Sequence, residues 1–193
     1  VGPSHSWQLG LSHWRADVTD RTGGGHAHDH ADVADVSFSG DSRISALDAV
    51  WKWAPDGNPT RTYLKLQGEV FLRDEDGMVA IAHDPVEATW YSGEQRGWYA
   101  QAVYQFMPRW RAGLRYDRLH ADNTGSDAEV LAEAGLDGGL HDPERYALMV
   151  DYSRSEFSRL RLQYNRDRSR PVTDHQWYLQ YIMSLGAHGA HAY

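Results

Sequence analysis

The residue types best suited to metal chemistry occur together in a short tract, GGGHAHDHAD, at positions 23–32. The candidate ligands are His26, His28, His30, Asp29 and Asp32. Imidazole is a preferred ligand of zinc, copper and nickel, and a nearby carboxylate can complete the coordination shell. The tract therefore predicts capture of a divalent metal such as zinc, while a solvated, flexible loop that binds metal incidentally remains the alternative. No cofactor is expected to be required.

Three further histidines stand close to an aspartate, a combination found in some hydrolytic sites. The pairs are His83–Asp84, His120–Asp122 and His141–Asp142. The sequence has no G-x-S-x-G pattern that would supply a nucleophile. It also has no phosphate-cradling glycine motif and no basic stripe with a nucleic-acid-binding signature. We therefore expect neither an enzyme nor a nucleic-acid-binding protein.

Charged residues recur on the polar side of several alternating segments and are predicted to line the inside of the fold. This lumen set comprises Lys52, Arg61, Lys65, Glu69, Arg111, Arg115, Arg159 and Arg161. The set is basic although the whole chain has a net charge of -8, because the acidic residues concentrate in predicted loops. Facing water, it would favour anions in transit beneath an acidic mouth. In a closed eight-stranded barrel the same charges would pair and fill the interior.

The elements that must position these residues are β-strands, because apolar and polar residues alternate with period two in eight segments. The predicted strands lie near 6–14, 43–53, 61–73, 98–106, 110–118, 145–153, 158–165 and 175–185. Their apolar faces tend to end in aromatic residues such as Trp53, Tyr104 and Trp177, and the chain has 8 Trp and 11 Tyr. Trp and Tyr suit a membrane interface, because each has an apolar body and a polar tip.

The predicted connections alternate between long and short. Long ones are expected near 15–42, 74–97 and 119–144, and short ones at 54–60, 107–109 and 154–157. A short helix is predicted near 127–134 in the third long loop. This pattern is typical of outer membrane proteins and predicts an all-β, antiparallel, up-and-down transmembrane β-barrel. About eight strands lie in this chain, as a single domain that is either complete or part of a larger barrel. A soluble sandwich or lipocalin-like barrel, with its apolar face inward, is the alternative.

The C-terminal residues carry a family resemblance. Trp177, Leu179, Tyr181, Met183 and Leu185 keep one register, and the terminal Tyr193 falls in it too. An alternation that ends in a terminal aromatic residue resembles the assembly signal of outer membrane proteins. The segments 48–73 (DAVWKWAPDGNPTRTYLKLQGEVFLR) and 181–193 (YIMSLGAHGAHAY) look like the C-terminal part of proteobacterial outer membrane porin or receptor-like proteins. Some of those proteins are zinc-regulated or TonB-dependent receptors.

This resemblance implies a location in the outer membrane of a Gram-negative cell, with membrane lipid and the barrel-assembly machinery as partners. Members of those families are longer, which implies that this chain lacks N-terminal strands and any plug domain. The expected function is a porin-like or receptor-like channel for small solutes, with divalent metal ions such as zinc as candidates. The alternatives are a closed eight-stranded barrel with a structural, adhesive or binding role and, third, a barrel enzyme.

Overall fold

One antiparallel sheet of eight strands makes up most of the fold. The computed structural model describes residues 2–23, 36–82, 87–137 and 141–184. In chain order the elements are β1 (His5–Gly23), β2 (Val36–Trp53), β3 (Tyr63–Ile81), β4 (Glu87–Met107), β5 (Trp110–Gly125), α1 (Ala128–Glu133), β6 (Glu144–Ser155), β7 (Ser158–Arg168) and β8 (Asp174–Met183). A one-turn 3-10 helix, Pro55–Gly57, lies between β2 and β3.

Each strand pairs antiparallel with its neighbour in sequence, so the order of strands in the sheet is their order in the chain. The predicted all-β, up-and-down arrangement of eight strands is therefore confirmed. Within the described residues β1 and β8 do not pair with each other, so the sheet is open and has two free edges. The closed barrel remains a prediction.

The two ends of the sheet differ in their connections. At the turn end, short segments join the strands: residues 54–62, 108–109 and 156–157. At the loop end lie the connections that follow β1, β3, β5 and β7. The first strand begins at the turn end, and the last strand finishes there. The strands at the β1 side of the sheet are also longer, since β1 has 19 residues and β8 has 10.

The predicted loop boundaries are wrong, because β1 to β5 extend much further towards the loop end than the predicted strands. The predicted loop at 74–97 lies almost wholly inside β3 and β4, which leaves only residues 82–86 between them. In the same way, strands occupy residues 15–23, 36–42 and 119–125 of the loops predicted near 15–42 and 119–144. On the extra strand residues the apolar face is no longer continuous: charged residues such as Asp74 and Glu94 interrupt it, and Met78 and Trp90 are among its remaining large apolar side chains.

The two faces of the sheet have opposite polarity over the half nearer the turn end. Residues opposite one another in the pairing share a face, and one such row crosses all eight strands: Trp7, Trp51, Leu66, Ala102, Leu114, Leu148, Tyr164 and Trp177. This apolar face is exposed, with Leu11 at 83% and Leu179 at 74%. The polar face instead buries polar groups, with Asp151 at 0% and Gln105 at 8%. In a water-soluble protein, an antiparallel sheet commonly buries its apolar face against the core and exposes its polar face to water.

Towards the loop end this polarity changes. A buried apolar cluster there consists of Phe38, Val79, Tyr91 and Leu131. The first three lie on the continuation of the polar face, and Leu131 comes from α1. On the opposite face the same stretch carries Arg43, Asp74 and Glu94, which occupy paired positions. Beyond this row of charges the polar face becomes apolar, while the opposite face still exposes Met78 and Trp90, at 43% and 50%.

The helix α1 covers the polar face at the loop end, where it contacts β3, β4 and β5. Asp127 caps the helix by accepting hydrogen bonds from the backbone N–H groups of Glu129 and Val130. Its own N–H donates to Thr89 Oγ1 at 2.8 Å, which ties the cap to β4. The predicted short helix near 127–134 is confirmed. No helix in the described part of the chain is long and apolar enough to cross a membrane.

Candidate functional site

A buried carboxylate with three arginine partners lies on the polar face near the turn end. Arg161 donates from Nε and Nη2 to the two oxygens of Asp151, at 2.7 and 3.1 Å. Arg111 and Arg159 each approach Asp151 Oδ2 to 3.3 Å. These four residues, here called the Asp151 cluster, meet because Arg111, Asp151 and Arg161 occupy paired positions on β5, β6 and β7. One carboxylate cannot neutralise three guanidinium groups, so the cluster is basic.

A second ion pair lies further from the turn end on the same face. Arg115 donates to both oxygens of Asp117, at 2.6 to 3.1 Å. The guanidinium of Arg115 also lies 3.8 Å from the ring centre of Tyr99, close enough for a cation–π contact. The Tyr99 hydroxyl accepts a hydrogen bond from Gln67 at 3.2 Å. Side chains of β3, β4 and β5 are thus linked across this face.

A third group of polar residues lies on the polar face next to the apolar cluster. It consists of Glu75, Arg21, Arg73 and Ser42 and is here called the Glu75 cluster. Arg21 and Arg73 donate to Glu75 Oε1 at 2.7 and 2.6 Å, and the Ser42 hydroxyl donates to the same atom at 2.8 Å. Burial by itself raises the pKa of the Glu75 carboxyl, but these hydrogen bonds outweigh it and hold the pKa below its ordinary value of 4.5. Glu75 is therefore an ionised, buried anion near pH 7.

Arg21 reaches this face because β1 contains a β-bulge. The pairing register of β1 shifts between Val18 and Arg21, and Asp20 in between has a φ of 48°. The Asp20 N–H donates to Ser39 Oγ at 2.9 Å, which holds the bulge against β2. In a regular strand Arg21 would share the face of Trp7, since both positions are odd; the extra residue moves it to the other face. Both Arg21 and Glu75 lie in segments predicted as loops, 15–42 and 74–97, so the sequence did not identify them as residues of the polar face.

Most of the predicted lumen set lies on the polar face, as its alternation requires. The residues found there are Lys52, Lys65, Glu69, Arg111, Arg115, Arg159 and Arg161. Arg61 is the exception, because it lies exposed in the connection between β2 and β3 rather than in a strand. Pro59 lies just before it, and a proline cannot donate a ladder hydrogen bond.

On β2 and β3, residues of like charge lie opposite one another. Lys52 lies directly opposite Lys65, and Asp48 lies directly opposite Glu69. None of the four forms a salt bridge within the described residues. Like charges opposite one another destabilise a strand pair unless water screens them. The β2–β3 part of the polar face therefore suits a hydrated surface, whereas the β5–β7 part is an ion-pair network.

The predicted metal ligands His26, His28, His30, Asp29 and Asp32, with His83, Asp84 and the terminal Tyr193, lie outside the described residues. Among the described residues no group of three or more His, Cys, Asp or Glu is arranged to hold a metal ion. His120 Nδ1 lies 2.7 Å from Asp142 Oδ1 rather than pairing with Asp122. Arg118 also donates to Asp142 at 2.8 Å, and hydrogen bonds from Arg118 and His120 lower the pKa of the Asp142 carboxyl. Metal binding by the histidine-rich tract stays a prediction.

Comparison with known proteins identifies one relative and no family. The chain is 29% identical over 163 residues to an uncharacterized protein of Aquifex aeolicus (strain VF5). The match covers 81% of this chain and 32% of the relative, so the chain spans about a third of the length of that protein. No protein-family model matches the chain, and no solved structure matches it.

Proposed function

We propose that this sheet forms part of the wall of an outer membrane β-barrel that works as a porin-like or receptor-like channel for small solutes. The observation that carries the proposal is the inverted polarity of the sheet. Its apolar face is exposed, while the opposite face buries charged groups such as Asp151 among its arginine partners. Such a face suits the lipid of a Gram-negative outer membrane, and a polar inner face suits water and solute.

The energetic argument for lipid rests on the size of the exposed apolar face. Large apolar side chains on it include Trp7, Leu9, Leu47, Leu114, Leu148, Leu162, Trp177 and Leu179, each at least 48% exposed. Covering one such side chain fully is worth about 1.5–3 kcal/mol. Because these side chains are about half to three-quarters exposed, the summed gain from covering them is comparable with the whole stability of a domain of this size, which is about 5–15 kcal/mol. A hydrophobic covering is therefore strongly favoured.

Aromatic pairs border this face on both sides, which supports lipid as the covering. Near the turn end Trp110 of β5 contacts Tyr152 in a tilted arrangement, with 4.9 Å between ring centres. Six positions further along β5, Tyr116 contacts Tyr146 at 4.5 Å and Trp98 at 5.2 Å. The two groups are roughly 20 Å apart along the strand, at about 3.3 Å per residue. That span, with apolar residues between, resembles the apolar band of about 25 Å between two aromatic girdles in outer membrane barrels.

The free edges of the sheet bear on the number of strands. Lipid cannot satisfy the unpaired N–H and C=O groups of an edge strand, so a membrane sheet must close. β1 and β8 must then pair with each other or with further strands. The hydrated like-charge pairs Lys52–Lys65 and Asp48–Glu69 favour a barrel wide enough to hold water, because an eight-stranded interior is filled by side chains. A closed eight-stranded barrel with a binding or adhesive role is the second candidate.

The proposal is tested by single-channel recording of the full-length protein in planar bilayers. We expect steady ohmic steps, and we expect K65E to shift the reversal potential towards cation selectivity, because Lys65 lies on the polar face. R43E is the matched control: it makes the same charge change on the opposite face at the loop end and should leave selectivity nearly unchanged. If correctly folded protein gave no conductance, or if both variants shifted the reversal potential equally, the channel proposal would be refuted.

The predicted metal site can be tested in the same recordings. Zinc should alter the conductance if the histidine-rich tract captures it at the mouth, because a bound divalent cation changes the local potential. The variant in which His26, His28 and His30 are all alanine should lose that response. A zinc effect that survives the triple substitution would exclude this tract as the site.

A further inference from the structure

A basic pocket opens on the polar face at the turn end of the sheet. Its volume is about 730 Å³, and its walls come from the connections β2–β3, β4–β5 and β6–β7 with the adjoining strand ends. Gln105 holds the first of these in place by donating to the carbonyl oxygens of Pro59 and Thr60 at 3.1 and 2.9 Å. A pocket of this size matches small-molecule sites, which commonly measure about 300–1,000 Å³.

The wall of this pocket carries a large excess of positive charge. Its arginines are Arg109, Arg111, Arg154 and Arg159, and its one acidic residue is Glu156. Arg111 and Arg159 share the carboxylate of Asp151 with Arg161 and so remain only partly neutralised. Within the described part of the chain, the buried Nε of Arg159 has no hydrogen-bond partner. The wall of the pocket is thus positively charged, and, among the residues that the structure describes, one of its arginines has an unsatisfied donor.

The backbone of Arg109 adds an independent observation. Arg109 adopts a φ of 71°, in the left-handed region that suits glycine and is costly for a long side chain. Its carbonyl oxygen accepts a hydrogen bond from the Ser153 N–H at 2.8 Å, which fixes this turn against β6. Strained residues of this kind often occur where a side chain is needed for binding. Here the residue with the positive φ itself lines the pocket.

We propose that this pocket binds a phosphate group, either as the free ion or on a small organic molecule. Guanidinium forks bind phosphate oxygens in pairs, and a phosphate dianion can neutralise more than one arginine at once. Hydroxyl groups of Ser153 and Ser158 line the same pocket and can donate further hydrogen bonds. The site goes beyond the proposed channel function. Its residues lie at the turn end of the sheet, and binding there does not require conduction. If the sheet is also a channel wall, the site places a phosphate at one end of it.

Calorimetric titration of the full-length protein in detergent tests this site with two probes, inorganic phosphate and glycerol 3-phosphate, against chloride at equal ionic strength. We expect saturable binding of at least one probe above the chloride blank. Tighter binding of glycerol 3-phosphate would assign the pocket to a phosphorylated organic solute, and tighter binding of inorganic phosphate would assign it to the free ion. Absence of saturable binding of both probes overturns the proposal, even if the protein conducts.

Two glycine substitutions separate binding from folding. R109G should weaken phosphate binding about tenfold to a hundredfold, as expected for the loss of a charge-assisted contact. It should not lower the melting temperature, because glycine relieves the positive φ. D56G is the matched control, since Asp56 has a φ of 51° in another turn and does not line the pocket. It should bind phosphate as the parent does.

If R109G does not fold, R154Q serves as the second variant, because Arg154 is exposed and lines the same pocket. It should weaken binding without loss of fold. Equal affinity in the parent, R109G and R154Q would overturn the proposal. Because binding is measured without a bilayer, loss of the phosphate site and loss of conduction can be told apart.

Discussion

Glu75 and Asp151 illustrate how the polar face accommodates buried charge one residue at a time. Asp151 has three arginine partners, and Glu75 has two arginines and a serine hydroxyl. A buried carboxylate is tolerated only where its charge is matched and its oxygens accept hydrogen bonds. The arginines in turn depend on these carboxylates, because removing the anion leaves like charges facing one another.

The substitution E75Q tests this dependence at the residue scale. It should lower the free energy of unfolding by about 1–3 kcal/mol near neutral pH, less than for a fully buried pair because Arg21 and Arg73 are partly exposed. Urea unfolding of the folded protein in lipid vesicles provides the measurement. E94Q is the matched control: Glu94 pairs with Arg96 on the surface, and both side chains are more than 60% exposed. Equal destabilisation by the two substitutions would contradict the assigned role of Glu75.

The effect of E75Q should also depend on pH with a defined sign. The folded protein lowers the pKa of Glu75 below 4.5, so the ionised group stabilises the fold fully above that pH. The contribution is lost as the pH falls through the lowered pKa of the folded state. The difference in unfolding free energy between parent and E75Q should therefore be constant near neutrality and shrink below pH 4.5. A difference that grows on acidification would show that Glu75 is not a paired carboxylate.

At the scale of single elements, α1 is the structure that closes the loop end of the polar face. Leu131 is 5% exposed and sits over Gly125, where an added Cβ would lie 2.6 Å from Leu131 Cδ1. The absence of a side chain at Gly125 is thus what lets the helix approach β5. A helix of one and a half turns is unstable alone, so its position depends on this packing.

The substitution L131A should release α1 from the sheet. Loss of a buried leucine typically costs about 2–5 kcal/mol, more than a short docked helix can supply from its own hydrogen bonds. We expect amide hydrogen exchange in residues 128–133 to accelerate strongly while the strands stay protected. E129A, on the exposed side of the same helix, should change exchange little. Unaltered protection in L131A would mean that the apolar cluster does not hold the helix.

The strands show how far the sequence predicts the elements. Period-two alternation identifies all eight strands and their partners, since Trp51 and Leu66 must share a face. It fails at the loop end, because buried apolar residues such as Phe38 and Val79 occupy the polar face there and charged residues interrupt the apolar face. It also fails at Arg21, because a bulge reverses the alternation without changing the residue types. The phosphate pocket joins residues from three connections, and no local pattern predicts that.

At the scale of the whole molecule, the sheet is divided into two zones along its strands. In the zone near the turn end, apolar side chains face outward and charges face the polar side. In the zone at the loop end, the row Arg43, Asp74 and Glu94 faces outward and an apolar cluster packs beneath α1. Under the proposed function, lipid would cover the apolar face of the first zone and water would cover the second zone.

The free edges of the sheet give a prediction that distinguishes a wider barrel, which contains additional strands, from a barrel closed by these eight strands alone. The chain has no cysteine, so introduced pairs report proximity without background. With Q176C on β8, cysteines placed one at a time along β1 should form no intramolecular disulfide in the full-length protein, because a disulfide needs Cβ atoms about 3.8 Å apart. Q8C with V50C, which lie opposite one another on β1 and β2, should cross-link readily and serves as the positive control. Efficient cross-linking of β8 to one position on β1 would instead show a closed eight-stranded barrel, in which Lys52, Lys65 and their neighbours fill the interior rather than line a passage.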